Sequence, residues 1–178
     1  ETYKVLKAAG ELPHGATGRS SHRQLQREID DFMKVLESHS PAEEPSTKSF
    51  ELTIGESTIK AEIAGVYPNV RIIYRLAKAK PRDILCAFID HLVMLTAGFQ
   101  KTKLPQKSLL ICKDAIWSFG STPDAEDKLV DYITLFRQGI QYPLNFFPNA
   151  SYAYADSLLV RKHSPSESLS TAAKKFNG

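Results

Sequence analysis

Hydrophobic residues in the first part of the chain recur at helical spacing. Residues 2–9 predict a short helix that Gly10 ends, and the stretch ELPHGATG at residues 11–18 predicts a loop. A capping box at residues 21–24, a serine followed three positions later by a glutamine, predicts the start of a longer helix. The polar, proline-containing stretch 38–47 predicts a linker between this helical part and a sheet. The apolar stripe of the longer helix is Leu25, Ile29, Phe32 and Leu36.

Apolar and polar residues then alternate, which is typical of half-buried strands. The alternation covers residues 50–54, 59–64 and 70–76, and the turn-forming pairs Gly55-Glu56 and Pro68-Asn69 lie between these runs. Consecutive strands that are joined by short turns pair antiparallel. This part of the chain therefore predicts an antiparallel meander.

The next segment contains longer apolar runs. Pro81 suits the first position of a helix, and residues 84–97 are apolar on nearly all sides, which predicts a helix that is buried. Residues 107–113 form a short continuous apolar run, which predicts a buried strand, and residues 116–119 predict an edge strand beside it.

The last third of the chain is predicted to be mainly helical. The sequence STPD at residues 121–124 starts a helix, and an aromatic connector bounded by prolines follows at residues 142–148. Residues 149–178 predict a C-terminal helical segment, in which Asn149 caps one helix and a capping box at residues 164–167 starts the last one. The helix that precedes the connector has the apolar stripe Leu129, Ile133, Phe136 and Ile140.

The order of these elements predicts a mixed α/β (α+β) fold with a small mixed sheet flanked by helices. The chain has 178 residues, of which 42% are apolar and 24% charged, and this suits a single domain over residues 1–178. Because the chain starts at Glu1 without a methionine, we expect it to be part of a longer protein.

Composition excludes several classes of function. The net charge of +3 permits a nucleic-acid surface but does not argue for one. Cys86 and Cys112 are too few for a disulfide framework, a four-cysteine zinc site or an iron–sulfur cluster, so we expect both to be free and buried, as suits a reducing cytosol. The longest apolar stretch, residues 84–97, is too short to span a bilayer and is broken by Asp90 and His91.

The run IKAEIAGVYPNVRIIYRLAKAK at residues 59–80 has the outline of a strand pair on which many metal-dependent nucleases hold their active site. Such a site needs carboxylates on the strands to bind Mg²⁺. The acids would lie near Ala64 and within residues 73–76, where this chain has none, and Glu62 is the only acid in the run. The sequence therefore predicts no catalytic residue and no metal ligand in this unit.

Other arrangements of chemical groups give weaker signals. An active nuclease with relocated acids, Glu51 or Glu62 with Asp90, stays open as an alternative. No two of the five histidines have the i, i+4 spacing of a helical zinc site. For His91 we expect a partly buried ring that is hydrogen-bonded to the backbone. Since the chain has neither a glycine-rich phosphate loop nor a GxSxG motif, no cofactor is predicted.

Basic residues cluster on and after the third strand. Arg71 and Arg75 are predicted to lie on one face of this strand, with Val70, Ile72, Tyr74 and Leu76 on the other. Five basic residues have a spacing that suits contacts with a DNA backbone, and a solvated basic surface explains the same spacing equally well. These five are Arg71, Arg75, Lys78, Lys80 and Arg82, and Lys101 and Lys103 follow them.

Aromatic residues are concentrated in the connector and just after it. They suit contacts with a partner protein or stacking on bases, although residues of this kind more often hold a crossover segment on its own domain. The residues are Tyr142, Phe146, Phe147, Tyr152 and Tyr154.

Three segments together resemble a known family. They are ELPHGATG at residues 11–18, FIDHLVMLTAG at residues 88–98 and YITLFRQGIQYPLNFFPNASYAYA at residues 132–155. Their order and spacing are similar to those of the C-terminal domain of RecC, the gamma subunit of exodeoxyribonuclease V, the RecBCD helicase–nuclease. The chain departs from the family pattern at Glu11, which replaces a glycine, and at Phe88-Ile89, which replaces a Trp-Leu pair.

The resemblance implies a core of the PD-(D/E)xK nuclease type that lacks the catalytic acids. It also implies an architectural role in DNA unwinding and in double-strand-break repair by recombination, through contacts with the RecB and RecD subunits and with DNA in the bacterial cytoplasm. No small-molecule substrate and no membrane contact are implied. The alternatives are an active Mg²⁺-dependent nuclease and a stand-alone nucleic-acid-binding module.

Overall fold

The computed structural model describes residues 2–13, 15–100 and 104–176. The chain separates into two compact units, Glu1–Ala42 and Glu43–Gly178. Lys101 and Lys103, which follow the predicted basic cluster, lie outside the described residues, and so does His14 of the ELPHGATG stretch.

The first unit contains two helices, α1 (Thr2–Ala8) and α2 (Gly15–His39). The short helix followed by Gly10 is confirmed. The loop prediction is confirmed for residues 11–13 and wrong from Gly15 onward, and the capping box at residues 21–24 is wrong, because α2 already begins at Gly15. The close approach of Gly18 to the carbonyl oxygen of Pro13 leaves no room for a Cβ atom, so a glycine lies inside the helix instead of in a loop before it.

The second unit is built on a five-stranded sheet with the order β1-β2-β3-β4-β5. The first three strands form the predicted antiparallel meander, β3 pairs parallel with β4, and β4 pairs antiparallel with β5. The mixed α/β fold with a mixed sheet is therefore confirmed. The strands are β1 (Ser46–Ile54), β2 (Ser57–Val66), β3 (Arg71–Arg75), β4 (Ser108–Cys112) and β5 (Ile116–Phe119).

Helices connect and cover this sheet. Helix α3 joins the parallel strands β3 and β4, and Pro81 is at its first position as predicted. An aromatic connector separates α4 from α5, and a single π turn, Asp156–Val160, extends α5. The helices are α3 (Pro81–Gln100), α4 (Ala125–Gln141), α5 (Pro148–Ala155) and α6 (Pro165–Phe176).

The main core of this unit lies between one face of β1 and β2 and the helices α3 and α4. Apolar residues that alternate along the two strands pack against the second half of α3 and the first half of α4. Buried members of this cluster are Leu52, Ile54, Ile63, Val66, Leu92, Met94 and Leu129. No helix in the described part of the chain is long and apolar enough to cross a membrane.

Burial of α3 differs along its length. Residues 91–97 are buried without interruption, as predicted, but most residues before them are half-buried. Cys86 is exposed, so the expectation that both cysteines are buried is wrong for Cys86 and confirmed for Cys112. The reason is that the first turns of α3 are covered mainly on the side of Ala87, which packs against Leu110 and Cys112.

The two predicted helix starts of the C-terminal segment have different outcomes. Asn149 does not cap a helix, because α5 begins one residue earlier at Pro148, whose fixed φ suits a first helical turn. The second start is confirmed as a reciprocal capping box: the backbone N–H of Ser164 donates to the Glu167 carboxylate at 3.0 Å, and the backbone N–H of Glu167 donates to the Ser164 hydroxyl at 3.4 Å.

Candidate interaction surface

Arg71 lies between Ala64 and residues 73–76, the two places where a nuclease would have its metal-binding acids. It is the first residue of β3, and its partner across the sheet is the core residue Val66, so its side chain points toward α3. Only 5% of Arg71 is exposed. Its Nη2 donates to Asp90 Oδ2 of α3 at 2.8 Å, and its Nε donates to the carbonyl oxygen of Ala64 at 3.2 Å. A buried guanidinium therefore neutralises the one carboxylate of α3 that lies at this position.

The other predicted DNA contacts differ in their surroundings. Arg75 forms an ion pair with Asp83 in the first turn of α3, so the side chains of both arginines have partners within the chain. Lys78, Lys80 and Arg82 are exposed. Within the described residues, none of these three side chains forms an ion pair. The face of Arg71 and Arg75 is covered by α3. On the opposite face Ile72 is buried and Tyr74 is exposed.

The acids of the relocated-acid alternative do not come together. Glu51 lies between the inward-facing residues of β1, so its carboxylate is on the outer face, where it is 3.9 Å from the ammonium group of Lys60. Glu62 points to the same outer face of β2. Asp90 binds Arg71 on the opposite, α3-covered side of the sheet. Among the residues that the structure describes, no three His, Cys, Asp or Glu side chains are close enough to hold a metal ion.

His91 ties α3 to the strands β4 and β5. Its ring is fully buried, with Nε2 2.8 Å from the carbonyl oxygen of Gly120 and Nδ1 2.8 Å from the hydroxyl of Ser108. Since a carbonyl only accepts, Nε2 donates and Nδ1 accepts from the hydroxyl, which is the pattern of a neutral imidazole. Burial lowers the pKa of His91, partly opposed by the Gly120 bond. The predicted backbone-bonded histidine is confirmed, and its burial is complete.

An apolar groove lies between the second half of α4, the connector and α3. Its volume is about 620 Å³, and its lining, among the described residues, is apolar apart from the side chains of Tyr132 and Asn145. The two side chains that project furthest into solvent are Phe136, which is 69% exposed, and Ile140, which is 71% exposed. The walls include Leu85, Leu135, Phe136, Ile140, Leu144 and Phe146.

A second, smaller hollow adjoins this groove. Its volume is about 270 Å³, and it lies between the start of α3, the end of β5 and α5. Leu85 and Phe146 belong to the walls of both, so the two hollows form one continuous apolar surface. We call this continuous surface the α4 groove.

The five aromatic residues predicted to contact a partner occupy different positions relative to the α4 groove. Phe146 and Tyr152 line it, and Tyr152 also packs edge-on against Trp117, with ring centroids 6.3 Å apart. Tyr142 is exposed, and Tyr154 is half-buried. Phe147 packs edge-on against Phe176 of α6 at 4.6 Å. The structure therefore brings two of the five to the groove.

The family model of the RecC C-terminal domain matches residues 1–159. This chain belongs to the RecC C-terminal domain family. Membership of the family implies a role in the RecBCD complex, and the resemblance that the sequence suggests is confirmed. No curated protein matches the chain.

The three family-like segments of this RecC C-terminal domain lie in different elements. Residues 11–18 cover the break between α1 and α2, and residues 88–98 lie within α3 and contain His91. Residues 132–155 comprise most of α4, the connector and α5. Most of the α4 groove is therefore built from the third segment, whereas α6 lies beyond the matched residues.

Sequence reasoning missed the exposure of the second half of α4 in this RecC domain. Leu129 is buried as predicted, but Phe136 and Ile140 of the same stripe are exposed. The helix has 17 residues and is thus ~26 Å long. The apolar stripe runs along this whole helix and leads directly into the aromatic connector. This pattern indicates an apolar surface that extends beyond the domain's own core.

Proposed function

We propose that this RecC C-terminal domain is a non-catalytic structural and interaction domain of the gamma subunit of exodeoxyribonuclease V, with a core of the PD-(D/E)xK nuclease type. It supports DNA unwinding and double-strand-break repair by recombination in the bacterial cytoplasm. It acts through contacts with the RecB and RecD subunits and with DNA. The observation that carries the proposal is the α4 groove.

The exposed side chains of the groove support a protein partner. Burying a Phe or Ile side chain completely contributes about 1.5–3 kcal/mol, so Phe136 and Ile140 at 69% and 71% exposure leave most of this contribution unused. Contiguous apolar surface of this kind is typical of interaction sites, and buried aromatic anchors commonly dominate their binding energy. The groove suits an apolar segment of a neighbouring subunit of the complex.

The surroundings of Arg71 support the non-catalytic part of the proposal. A Mg²⁺-dependent nuclease needs carboxylates that are free to bind the ion. Here the Arg71 guanidinium binds the carboxylate of Asp90 at 2.8 Å. The same guanidinium also donates a hydrogen bond to the carbonyl oxygen of Ala64. A permanent side-chain cation is thus already bound to this carboxylate, which supports a non-catalytic role.

Co-purification with the motor subunits tests the proposed role. The 178-residue chain is co-expressed with tagged RecB and, separately, with tagged RecD, and the complexes are washed at increasing salt. We expect retention of the chain by at least one subunit. A folded chain that neither subunit retains would contradict the interaction role.

A cleavage assay tests the nuclease alternative. Single- and double-stranded DNA are incubated with the chain and Mg²⁺ or Mn²⁺, and the matched control is the triple variant Glu51→Gln, Glu62→Gln, Asp90→Asn. We expect equal background in both samples, because Glu51 and Glu62 lie on the opposite side of the sheet from Asp90. Cleavage that the triple variant loses would overturn the non-catalytic assignment.

A further inference from the structure

Three arginines form a row along one side of α2. Arg19, Arg23 and Arg27 are four residues apart, and all three are exposed. Four residues of α-helix rise ~6 Å, so the row presents a positive charge at regular intervals over ~12 Å. Ser20 and Gln24 lie beside the row, and together with the arginines they line a shallow hollow of about 490 Å³.

This row has no internal neutralisation within the described residues. The sequence contains no acid from residue 12 to residue 27. The next acids are Glu28, whose carboxylate accepts a hydrogen bond from Gln24 at 3.2 Å, and Asp30. None of the three guanidinium groups forms a hydrogen bond or an ion pair with a described residue. Further along the same helix, by contrast, Lys34 binds Asp31 at 3.1 Å.

The concentration of charge costs helix stability. Like charges four residues apart destabilise a helix by about 0.2–0.5 kcal/mol per pair, and the row contains two such pairs. The first turn of α2 has no acidic residue, so the positive end of the helix dipole adds to the same potential. An anion bound along the row would offset both effects.

The row points away from the apolar side of α2. With 100° per residue, the arginines are nearly opposite the stripe that contains Leu25, Ile29 and the buried Phe32. The arginine face itself contains Ala16 as its only apolar residue. Protein interfaces need an apolar centre and membrane-surface helices need apolar side chains that insert, so this face suits neither.

We propose that the arginine row of α2 binds the phosphate backbone of single-stranded DNA without reading its sequence; the choice of DNA rests on the proposed function. Guanidinium groups bind phosphate oxygens through two parallel hydrogen bonds, and hydroxyl side chains such as that of Ser20 commonly add phosphate contacts. A single row of charges follows a single backbone. The row contains no Phe, Tyr or Trp on which bases would stack, so binding depends on charge.

A salt titration of DNA binding tests the proposal. Fluorescence anisotropy measures the binding of a fluorescein-labelled 20-nucleotide oligothymidylate to the 178-residue chain between 50 and 200 mM NaCl. Neutralising three phosphates of a single strand gives a slope of about −2 in log affinity against log salt, which is roughly a 20-fold loss over this range. We expect the triple variant Arg19→Gln, Arg23→Gln, Arg27→Gln to lose most of this slope.

Two further variants make the result decisive. The matched control Lys48→Gln, Lys174→Gln, Lys175→Gln removes the same charge from exposed positions elsewhere and is expected to keep the slope. Equal losses in the control and the α2 variant would show an effect of net charge and overturn the proposal. A third variant, Lys78→Gln, Lys80→Gln, Arg82→Gln, removes the basic residues that follow β3. If this variant loses DNA binding while the α2 variant keeps it, the proposal is also overturned. Circular dichroism checks that every variant is folded.

The nature of the anion is tested in the same assay. Unlabelled oligothymidylate and oligoglutamate are compared as competitors of the labelled oligonucleotide. If oligoglutamate displaces it equally well, the ligand is an acidic protein and the assignment to DNA is overturned. Failure here is distinguishable from failure of the proposed function, because co-purification with RecB and RecD depends on the α4 groove in the other unit of the chain.

Discussion

Removal of the Asp90 carboxylate should destabilise the second unit through the arginine that it leaves behind. The side chain of Arg71 is only 6% exposed, and its Nη1 already has no hydrogen-bond partner among the described residues. In Asp90→Ala the guanidinium would keep one bond, to the carbonyl oxygen of Ala64. Breaking a fully buried pair costs about 3–5 kcal/mol. Because 48% of the Asp90 side chain is exposed, solvent screening reduces this cost, and we expect Asp90→Ala to lower the free energy of unfolding by ~1.5–3 kcal/mol.

Urea unfolding followed by fluorescence measures this cost. Trp117 is the only tryptophan and lies in β5, so its emission reports on the second unit. The matched control is Glu51→Ala, which removes an exposed partner of Lys60 and should change the unfolding free energy by less than ~0.5 kcal/mol. Arg71→Met, which removes the buried charge itself, should cost less than Asp90→Ala. An Asp90→Ala variant as stable as the control would refute the view that Asp90 compensates a buried cation.

Three further predictions concern local structure. Burial lowers the pKa of His91, so the folded chain binds fewer protons than the unfolded chain below about pH 6.5. The free energy of unfolding in urea should therefore fall from pH 7.5 to pH 5.5. In His91→Gln this fall should be less steep. Gly65 has φ +76°, and a Cβ added there would clash with the carbonyl oxygen of Ile72, whereas a Cβ at Gly55 would meet open space. Gly65→Ala should therefore cost at least ~1 kcal/mol more than Gly55→Ala, and equal costs would contradict this. Ser164→Ala removes a cap worth ~1 kcal/mol, so amide exchange in α6 should be roughly fivefold faster, and unchanged exchange would count against the cap.

The sequence predicts the fold well where a signal depends on neighbouring residues. The meander of β1 to β3 follows from strict alternation with short turns, and the capping box at Ser164 needs only residues within one turn of helix. The capping box predicted at Ser21 fails because α2 already begins at Gly15, so Ser21 lies inside the helix.

The candidate sites are harder to predict, because burial depends on which element covers a face. Alternation correctly separates Arg71 from Ile72, but it does not show that both residues are buried and that α3 covers the arginine face. The stripe of α4 is apolar from Leu129 to Ile140, and its pattern does not show where the core beneath it ends. The arginine row of α2 is visible in the sequence as a four-residue period, once the helix is known to begin at Gly15.

The interaction role of the α4 groove is the central claim, and its most direct test is the affinity of groove variants for RecB and RecD. The double variant Phe136→Asp, Ile140→Asp places two charges in the groove. The control variant Leu169→Asp places one charge at a position of α6 that is 65% exposed. This position lies beyond the residues that the family model matches. We expect the double variant to bind its partner at least ~30-fold more weakly, since truncating interface anchors typically costs 2 kcal/mol or more. The control should bind like the unmodified chain. Equal affinity of the double variant and the unmodified chain for both subunits would contradict the account.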